Sequence, residues 1–247
     1  HDERLHAVLK RLEEVGLTLN GKKCEFSKQE LDFFGLHFSK DGISIESKKL
    51  DALLKATAPK TASEVRSLLG LANYCARFIA DLATIVKPLR ELTKKNYKWK
   101  WTNEHDVSLN TLKKALTTKA IAYFDKNLHT EITVDASPVG LGVVMAQYNK
   151  QDPTSKKIVL YASRSLTDVE TRYSQVEKEA LAVVWACERL HIYLYASEFD
   201  IVTDNKAVEL IFGNANSKPK ARIERWSLRL MPYRFNVIHR AGVDNIA

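Results

Sequence analysis

The amino-acid sequence predicts a multidomain chain in which a small α+β part precedes an α/β part built on a mixed five-stranded sheet with helices on its faces. Three observations predict this class. Residues 31–45 read as a β-hairpin, residues 46–95 place apolar side chains at a helical period, and the chain from about residue 122 runs β-β-β-α-β-α. A meander followed by crossovers gives a sheet with both antiparallel and parallel pairs.

The composition is that of a globular protein. The chain has 247 residues, of which 45% are hydrophobic, enough to form packed cores. No apolar run approaches the roughly 20 residues that cross a bilayer. The N-terminus, HDERLHAVLK, has neither an initiating Met nor the apolar segment of a signal peptide. We therefore expect the chain to begin inside a longer polypeptide.

The spacing of the cysteines and the distribution of charge restrict the compartment and the type of partner that this protein can have. Cys24, Cys75 and Cys187 lie outside any CxxC or Cys/His pattern, which argues against a zinc site or a disulfide framework and favours a reducing, intracellular compartment. The net charge of +8 is concentrated: residues 51–100 carry ten Lys or Arg against four Asp or Glu, and residues 201–247 carry eight against four. These regions favour a polyanionic partner, with lysines that only solvate a helix face as an equal alternative.

The first predicted elements are a short helix and the hairpin. Apolar residues at helical spacing precede a glycine that can end the helix: Leu5, Val8, Leu9, Leu12 and then Gly16. In the hairpin, two strands flank a turn at Lys40-Asp41-Gly42, where Gly42 supplies the positive φ that a tight turn needs.

The region 46–95 is predicted to be helical. Thr61 and Glu64 form a capping box, in which each side chain can satisfy an amide of the other. The buried stripe that follows consists of Val65, Leu68, Leu69, Ala72 and Ile79. The stretch KKNYKWKW interrupts the period, so we place a boundary near residue 95. A further helix around 109–116 is expected to bridge to the next domain.

The second half of the chain alternates strands and helices. Strands are predicted at 130–135, 140–147, 157–162, 199–203 and 233–239, with a long helix at 173–194 and further helices after residue 203. The buried stripe of the long helix is formed by Val176, Ala180, Val183, Cys187, Leu190 and Leu194.

Three carboxylates in this half are predicted to meet. Asp135 and Asp204 each end an apolar strand, and Glu179 lies about 60° from the centre of the buried stripe, close enough to reach the sheet. Glu177 lies roughly 100° round on the other side and is expected to be a solvated helix residue. An ionised carboxylate inside a helix-covered sheet needs a compensating cation or hydrogen bonds. The alternative for Asp135 is that it caps the SPVG turn.

Two strand-end aspartates and a glutamate make an all-oxygen site, which suits Mg²⁺ or Mn²⁺ rather than zinc. We therefore expect Asp135, Glu179 and Asp204 to be metal ligands.

The residues around these carboxylates resemble a known family. The segments TVDASPVGLGVVMAQ, YASRSLTDVETRYSQVEKEALAVVWACERLHIYL and VTDNKAVELI closely resemble the RNase H domain of gypsy-type LTR retrotransposon polyproteins. Upstream, LEEVGLTLNGKKCEFSKQELDFFGLHFSKDGI and RSLLGLANYCARFIADLATIVKPLRELT resemble the end of the palm, the primer-grip hairpin and the thumb of the reverse transcriptase in that family.

The resemblance implies a division of the chain and a fold. Residues 1–46 would be the C-terminal end of the palm with its primer-grip hairpin, 47–95 the thumb, 96–122 the connection, and 123–247 the RNase H domain, truncated before its last helix. The last of these would have a ribonuclease H-like fold.

The resemblance also implies roles for individual residues. Asp135, Glu179 and Asp204 would be the catalytic carboxylates. His239, in HRAG, would lie in a mobile loop that helps the leaving group or product to depart, although a lone His before a Gly turn is more often incidental.

Two departures from the family pattern matter. The paired aspartates of the polymerase site are absent, so this chain alone is not expected to polymerise DNA. The fourth carboxylate of the family, in an Asn-x-Ala-Asp ending, would follow Ala247, and Asp244 is not its equivalent. On this basis we expect this chain to bind its second cation weakly and to cleave poorly.

The implied activity is hydrolysis of the RNA strand of RNA/DNA hybrids with two Mg²⁺ ions, or Mn²⁺, while the upstream part grips primer-template and the remainder of the polyprotein completes the enzyme. The implied location is intracellular: the cytoplasm, with retroelement particles or the nucleus as alternatives. Three arginines at i, i+3 and i+7, Arg222, Arg225 and Arg229, share a helical face that could follow a phosphate backbone, or they are simply solvated.

Two other functions are alternatives to this activity. The segment DASPVGLGVV also resembles the phosphate hairpin of sugar-kinase and actin-type ATPases, but these proteins need two such hairpins and only one is present. A retroelement remnant that binds nucleic acid without cleaving it is the stronger alternative.

Overall fold

The computed structural model describes residues 2–95, 97–116, 120–214, 217 and 220–241. The described helices and strands of the first part are, in chain order, α1 (Asp2–Glu14), β1 (Leu31–Phe33), β2 (Leu36–Ser39), β3 (Gly42–Ile45), α2 (Ser47–Leu54), α3 (Ala62–Tyr74), α4 (Leu82–Ile85), α5 (Lys87–Glu91) and α6 (Asn103–Ala115). The second part comprises β4 (His129–Ala136), β5 (Gly140–Asn149), β6 (Asp152–Ser165), α7 (Gln175–Arg189), α8 (His191–Leu194), β7 (Glu198–Thr203), α9 (Lys206–Phe212), α10 (Ala221–Leu230) and β8 (Arg234–His239). Three-residue 3₁₀ turns lie at Gly21–Lys23, Ala76–Phe78 and Glu170–Arg172.

The predicted hairpin is present and carries a third strand. β2 and β3 pair antiparallel around the Lys40-Asp41 turn, and Gly42 has the expected positive φ of 129°. β1 folds back onto β2 through Phe34 and Gly35, both with positive φ (48° and 73°). A two-residue turn with both residues left-handed usually contains Asn or Asp before Gly, so Phe34 gave no signal for it.

The helical region forms a core of its own. Val65, Leu68, Leu69, Ala72 and Ile79 are all buried, as predicted. The amide of Glu64 donates to Thr61 Oγ1 at 3.2 Å, while the carboxylate of Glu64 accepts from the amide of Lys60 at 2.8 Å instead of from Thr61. The start of the helix therefore has both hydrogen bonds of a capping box, except that the Glu64 carboxylate binds the amide of Lys60, one residue before the amide used in a strict capping box.

Helix α6 starts earlier than predicted and packs back on the helical region. The amide of Thr102, just before the helix, donates to Nδ1 of His105 at 3.0 Å, so histidine takes the place that Glu or Gln usually fills. Leu109 and Leu112 are buried in the same core as α3 and α5. The domain boundaries themselves stay predictions.

Residues 121 and 122 join the two parts. Ile121 exchanges both backbone hydrogen bonds with Ile43 of β3, at 2.9 and 2.8 Å. The next amide, that of Ala122, donates to the carbonyl of Ile158 in β6 at 2.7 Å. One short segment therefore touches the small sheet and the large sheet at once.

The second part contains the mixed five-stranded sheet that the sequence predicts. Its order is β6-β5-β4-β7-β8, with β4-β5 and β5-β6 antiparallel and β4-β7 and β7-β8 parallel. Ile132, Val134 and Ala136 of β4 project to one face, where they are buried in the same core as α7. None of the described helices combines the length and the apolar character that crossing a membrane requires.

The junction between the two parts depends on Gly42. A Cβ at this position would overlap the carbonyl oxygen of Ile121, and the φ of 129° is one that side chains rarely adopt. We expect Gly42→Ala to lower the free energy of unfolding by about 1–3 kcal/mol. Gly70→Ala is the matched control, because α3 leaves open space there and the helix gains up to about 1 kcal/mol. Urea denaturation of both variants checks this, and equal stability of the two would contradict it.

Candidate metal centre

The register of two neighbouring strands brings Asp135 and Asp204 together. β4 and β7 run parallel, with Thr133 beside Val202. Each aspartate lies two residues beyond its member of this pair. Parallel strands end at the same edge of a sheet, so both carboxylates reach that edge at the same height. Asp135 is half-buried and Asp204 is exposed.

Helix α7 supplies the third carboxylate. Its start is set by a capping box between Ser174 and Glu177, in which the amide of Ser174 donates to the Glu177 carboxylate at 3.0 Å. Glu179 lies one helical turn after Gln175, the first residue of α7. It is only 3% exposed because α7 packs on β4. Burial of a carboxylate at this depth requires partners or a neutral form.

The three carboxylates converge. One oxygen from each of Asp135, Glu179 and Asp204 lies within 4.8 Å of the other two. The structure thus brings together the three residues that the sequence singles out, on two strands and one helix.

The pKa values of two of these groups are raised. Burial raises the pKa of Glu179 to about 8; a hydrogen bond from Gln175 opposes this, and the charges of Asp135 and Asp204 add to it. The pKa of Asp135 is raised by burial, by Asp204 and, more weakly, by Asp81, against a hydrogen bond with the backbone of Ala136. The cluster is therefore short of positive charge.

One oxygen of Glu179 has no partner. Its Oε1 accepts from Nε2 of Gln175 at 2.6 Å, whereas Oε2 is buried without a hydrogen bond within the described residues. An orphaned buried carboxylate oxygen is costly unless a ligand satisfies it. Three carboxylates and one free buried oxygen fit a divalent cation that prefers oxygen ligands.

The SPVG turn does not use Asp135 as its cap. Oγ of Ser137 accepts from the amides of Gly140 (2.9 Å) and Val139 (3.3 Å), and the amide of Ser137 donates to the carbonyl of Gly140. Ser137 therefore holds this turn, and the carboxylate of Asp135 is left to face the cluster.

Sequence reasoning missed Gln175 and Asp81. Gln175 donates to both Glu179 and the carbonyl of Ala136 (2.9 Å), which ties the glutamate to the strand. The only signal for it was its position one helical turn before Glu179. Asp81 comes from the helical region, and no local pattern links it to a site more than fifty residues away.

His239 lies next to the cluster. Its Nε2 donates to the carbonyl oxygen of Asp204 at 3.0 Å, and its own amide donates to Glu209 Oε1 at 3.3 Å. The ring is thus placed beside one predicted metal ligand, and its part in catalysis stays a prediction. Asp244, Asn245 and Ala247, on which the expectation about a fourth carboxylate rests, lie outside the described residues.

Two of the three predicted phosphate-binding arginines pair with α7. Arg222 contacts Glu177 at 2.7 Å and stacks over the ring of Tyr173 at 4.2 Å. Arg229 forms two hydrogen bonds with the carboxylate of Glu188, at 2.7 and 2.5 Å. Arg225 donates from Nε to the carbonyl of Ala221 in its own helix at 3.3 Å.

These ion pairs correct the expectation for Glu177. Its side chain is 13% exposed and accepts from both Arg222 and Ser174, so it is a structural residue that caps α7 and docks α10. The helical-wheel estimate failed because α7 contacts α10 as well as the sheet, so more than one of its faces is covered.

The raised pKa of Glu179 predicts a dependence of stability on pH. Without cations, the unfolded chain releases this proton near pH 4.5, whereas the folded chain keeps it to about pH 8. Stability is therefore lost as the pH rises through this window. We expect Glu179→Gln to melt higher than wild type in EDTA, by an amount that grows from about pH 5 to pH 8. Glu13→Gln, on the exposed surface of α1, is the control. A constant difference would show that ionisation of Glu179 has no influence.

Comparison with known proteins agrees with this architecture. Residues 125–233 match the family model of the RNase H-like domain found in reverse transcriptase. Two curated relatives, the Transposon Tf2-3 and Tf2-4 polyproteins of Schizosaccharomyces pombe (strain 972), are each 30% identical over 248 residues, covering 99% of this chain. The chain spans 18% of the length of these relatives.

Solved structures share the fold over both parts of the chain. A foamy viral protease-reverse transcriptase in complex with RNA/DNA hybrid is 24% identical with a TM-score of 0.77, over 98% of this chain and 33% of that one. The same protein in complex with dsDNA gives a TM-score of 0.74 at 24% identity, over 100% of this chain and 52% of that one. Residues 125–233 are therefore similar to the RNase H-like domain found in reverse transcriptase, and the chain is similar along its length to a part of the Tf2 retrotransposon polyproteins.

Proposed function

We propose that this chain is the RNase H part of a retroelement reverse transcriptase and that it hydrolyses the RNA strand of RNA/DNA hybrids with the help of Mg²⁺. The observation that carries the proposal is the convergence of Asp135, Glu179 and Asp204 on one point, with an unpartnered buried oxygen on Glu179. The family match of residues 125–233 and the hybrid bound by the foamy viral protein support it.

The donor set fits Mg²⁺, with Mn²⁺ as a substitute, because every available atom is a carboxylate oxygen. Two bound cations would supply the activation of the attacking water and the stabilisation of the departing 3′ oxygen of the scissile phosphodiester. Asp135, Glu179 and Asp204 would hold the cations, and the products would carry 5′-phosphate and 3′-hydroxyl ends.

The residues around the carboxylates would set their positions. Gln175 fixes Glu179 against β4 by bonding both the carboxylate and the carbonyl of Ala136. His239 holds the backbone of Asp204 through its Nε2 and would be placed to pass a proton to the departing product. Because Asp204 is exposed at the sheet edge, a phosphodiester backbone could approach the cluster from that side.

Selection of the RNA strand would depend on the 2′-hydroxyl. Only this group distinguishes ribose from deoxyribose at a given position, and contacts to it lie across the wide minor groove of the hybrid. The hairpin and helical part would grip primer-template, where Phe33 and Phe34, 55% and 78% exposed, form an apolar edge on the small sheet. The enzyme would work inside the cell as part of the longer polyprotein, with the three thiols reduced, since all three cysteines are free in the structure.

The first test of this function is charge removal at the three carboxylates. We expect Asp135→Asn, Glu179→Gln and Asp204→Asn each to lower Mg²⁺-dependent cleavage of a labelled RNA/DNA hybrid by at least about a hundredfold while hybrid binding is retained. Asp168→Asn, exposed between β6 and α7, should leave cleavage unchanged. If wild type binds hybrid but does not cleave it with Mg²⁺ or Mn²⁺, the chain is a nucleic-acid-binding remnant and the proposed activity is wrong.

A second test separates structural arginines from phosphate-binding ones. Within the described residues no acidic partner is found for Arg225, whereas Arg222 and Arg229 pair with Glu177 and Glu188. Arg225→Gln should flatten the salt dependence of hybrid binding by up to about one unit of log–log slope, with little change in melting temperature. Arg222→Gln should chiefly lower the melting temperature. A slope that Arg225→Gln leaves unaltered would remove this residue from the interface.

A further inference from the structure

The segment between α5 and α6 combines exposed aromatic rings with lysines. Residues 97–101, here called the lysine–aromatic segment, read Tyr-Lys-Trp-Lys-Trp. They form neither a helix nor a strand, and Tyr97 and Trp99 are 44% and 36% exposed. Large aromatic side chains that lie close together in water indicate a surface that a ligand covers.

The rings of this segment form a series that runs from the protein interior to solvent. The ring centroids of Trp99 and Trp101 are 6.4 Å apart, and those of Trp101 and His105 are 5.3 Å apart, with interplanar angles of 34° and 35°. His105 is only 4% exposed, whereas Trp99 lies at the exposed end. Centroid distances in this range are those of interacting aromatic pairs. A planar group of a ligand could therefore extend the series at Trp99.

The inner rings are held in place by contacts within the protein. Nε1 of Trp101 donates to Oδ1 of Asp106 at 2.8 Å, and Nδ1 of His105 accepts from the amide of Thr102 at 3.0 Å. Trp101 also packs against the core of the helical region. Because the inner end of the series is fixed, the protein loses little side-chain entropy when a ligand stacks on Trp99.

The lysines around the rings carry charge that the described part of the chain leaves largely unpaired. Residues 94–100 contain four lysines and no Asp or Glu. Lys94 lies 3.8 Å from Glu91, a weak pair between exposed side chains. Three further exposed lysines have no acidic partner within the described residues: Lys95, Lys98 and Lys100. This density of positive charge attracts a polyanion.

Rings and lysines together fit an unpaired nucleic-acid strand better than a duplex or an acidic peptide. Each base of a single strand exposes a planar face that can stack on an aromatic side chain, while the phosphates pair with basic side chains. In a duplex the base faces are already stacked on each other, and only the base edges and the backbone are accessible. An acidic peptide would neutralise the lysines but would offer no ring to Trp99.

We propose that the lysine–aromatic segment is a binding site for single-stranded nucleic acid, RNA or DNA, in which a base stacks on Trp99 and the phosphates lie against Lys98 and Lys100. The site would take a strand irrespective of its sequence, because every base has a planar face. It lies directly before α6 and needs no cation. The inference therefore goes beyond the proposed function and does not depend on the carboxylates.

The test measures the affinity for a labelled oligothymidylate of about twelve nucleotides. Fluorescence anisotropy in EDTA reports binding without cleavage. We expect Trp99→Ala to weaken binding at least about fivefold, because stacking of a base on one aromatic side chain is lost. Trp99→Phe keeps a ring and should recover most of the affinity. Tyr195→Ala removes an exposed ring in the second part of the chain and should bind as wild type does. An oligouridylate should show the same losses, since RNA offers the same faces.

A second variant tests the charges and should fold as wild type does, because both side chains are exposed. Lys98→Gln combined with Lys100→Gln should flatten the salt dependence of oligothymidylate binding by up to about 1.4 units of log–log slope, at about 0.7 for each phosphate contact on a single strand. The matched control is Lys126→Gln combined with Lys150→Gln, which removes two exposed lysines of the second part and should leave the slope unchanged.

The comparison with a duplex separates this site from a general nucleic-acid surface. Trp99→Ala should leave the affinity for an RNA/DNA hybrid of the same length unchanged. If the affinities for hybrid and single strand fall alike, the single-strand site is wrong. It is also wrong if Trp99→Ala binds the oligothymidylate as wild type does, whether or not the lysine variant binds more weakly. Tighter binding of polyglutamate than of the oligothymidylate would overturn it in favour of an acidic protein partner.

These outcomes are distinct from those that bear on the proposed function. A chain that binds single strands through Trp99 but does not cleave a hybrid with Mg²⁺ or Mn²⁺ would contradict only the proposed function. A chain that cleaves the hybrid but whose affinity for the oligothymidylate is insensitive to Trp99→Ala would contradict only the single-strand site.

Discussion

The repulsion among carboxylates at one edge of the large sheet is the interaction that the surrounding structure is arranged to contain. Parallel pairing of β4 with β7 forces two aspartates to the same height, and the packing of α7 on β4 brings Glu179 to them. Gln175 and the backbone at Ala136 offset part of the resulting cost. The part of the cost that is not offset is seen in the raised pKa of Glu179 and in its unpartnered buried oxygen. Both properties fit a site that binds a cation.

The ion pairs between α7 and α10 have a different purpose. Arg222 and Arg229 fix α10 against the outer side of the helix that carries Glu179. Because α7 is held from both sides, Glu179 has little freedom to turn away from the two aspartates. Two of the three arginines that the sequence suggests for nucleic-acid binding therefore help to fix the geometry of the carboxylate cluster.

The sequence predicts the parts of this fold that depend on local periodicity. Strand-end aspartates, the stripe of α7 and the buried face of α3 follow from spacing alone, and the family resemblance identifies the same carboxylates. The third strand of the small sheet was missed because Phe34 adopts a conformation usual for Asn or Gly. Glu177 was misread, and Gln175 and Asp81 were missed, because their partners lie on other elements. A pattern within one helix carries no information about the helix that covers it.

The segment at Ile121 and Ala122 has a mechanical consequence. It is hydrogen-bonded to β3 on one side and to β6 on the other, with Gly42 admitting the close approach. A linker that only tethers two bodies lets them rotate independently, whereas here a rotation would have to break backbone hydrogen bonds in two sheets. Force applied to the hairpin would thus be transmitted to the edge of the large sheet where the carboxylates lie, and the two parts of the chain would move as one rigid unit.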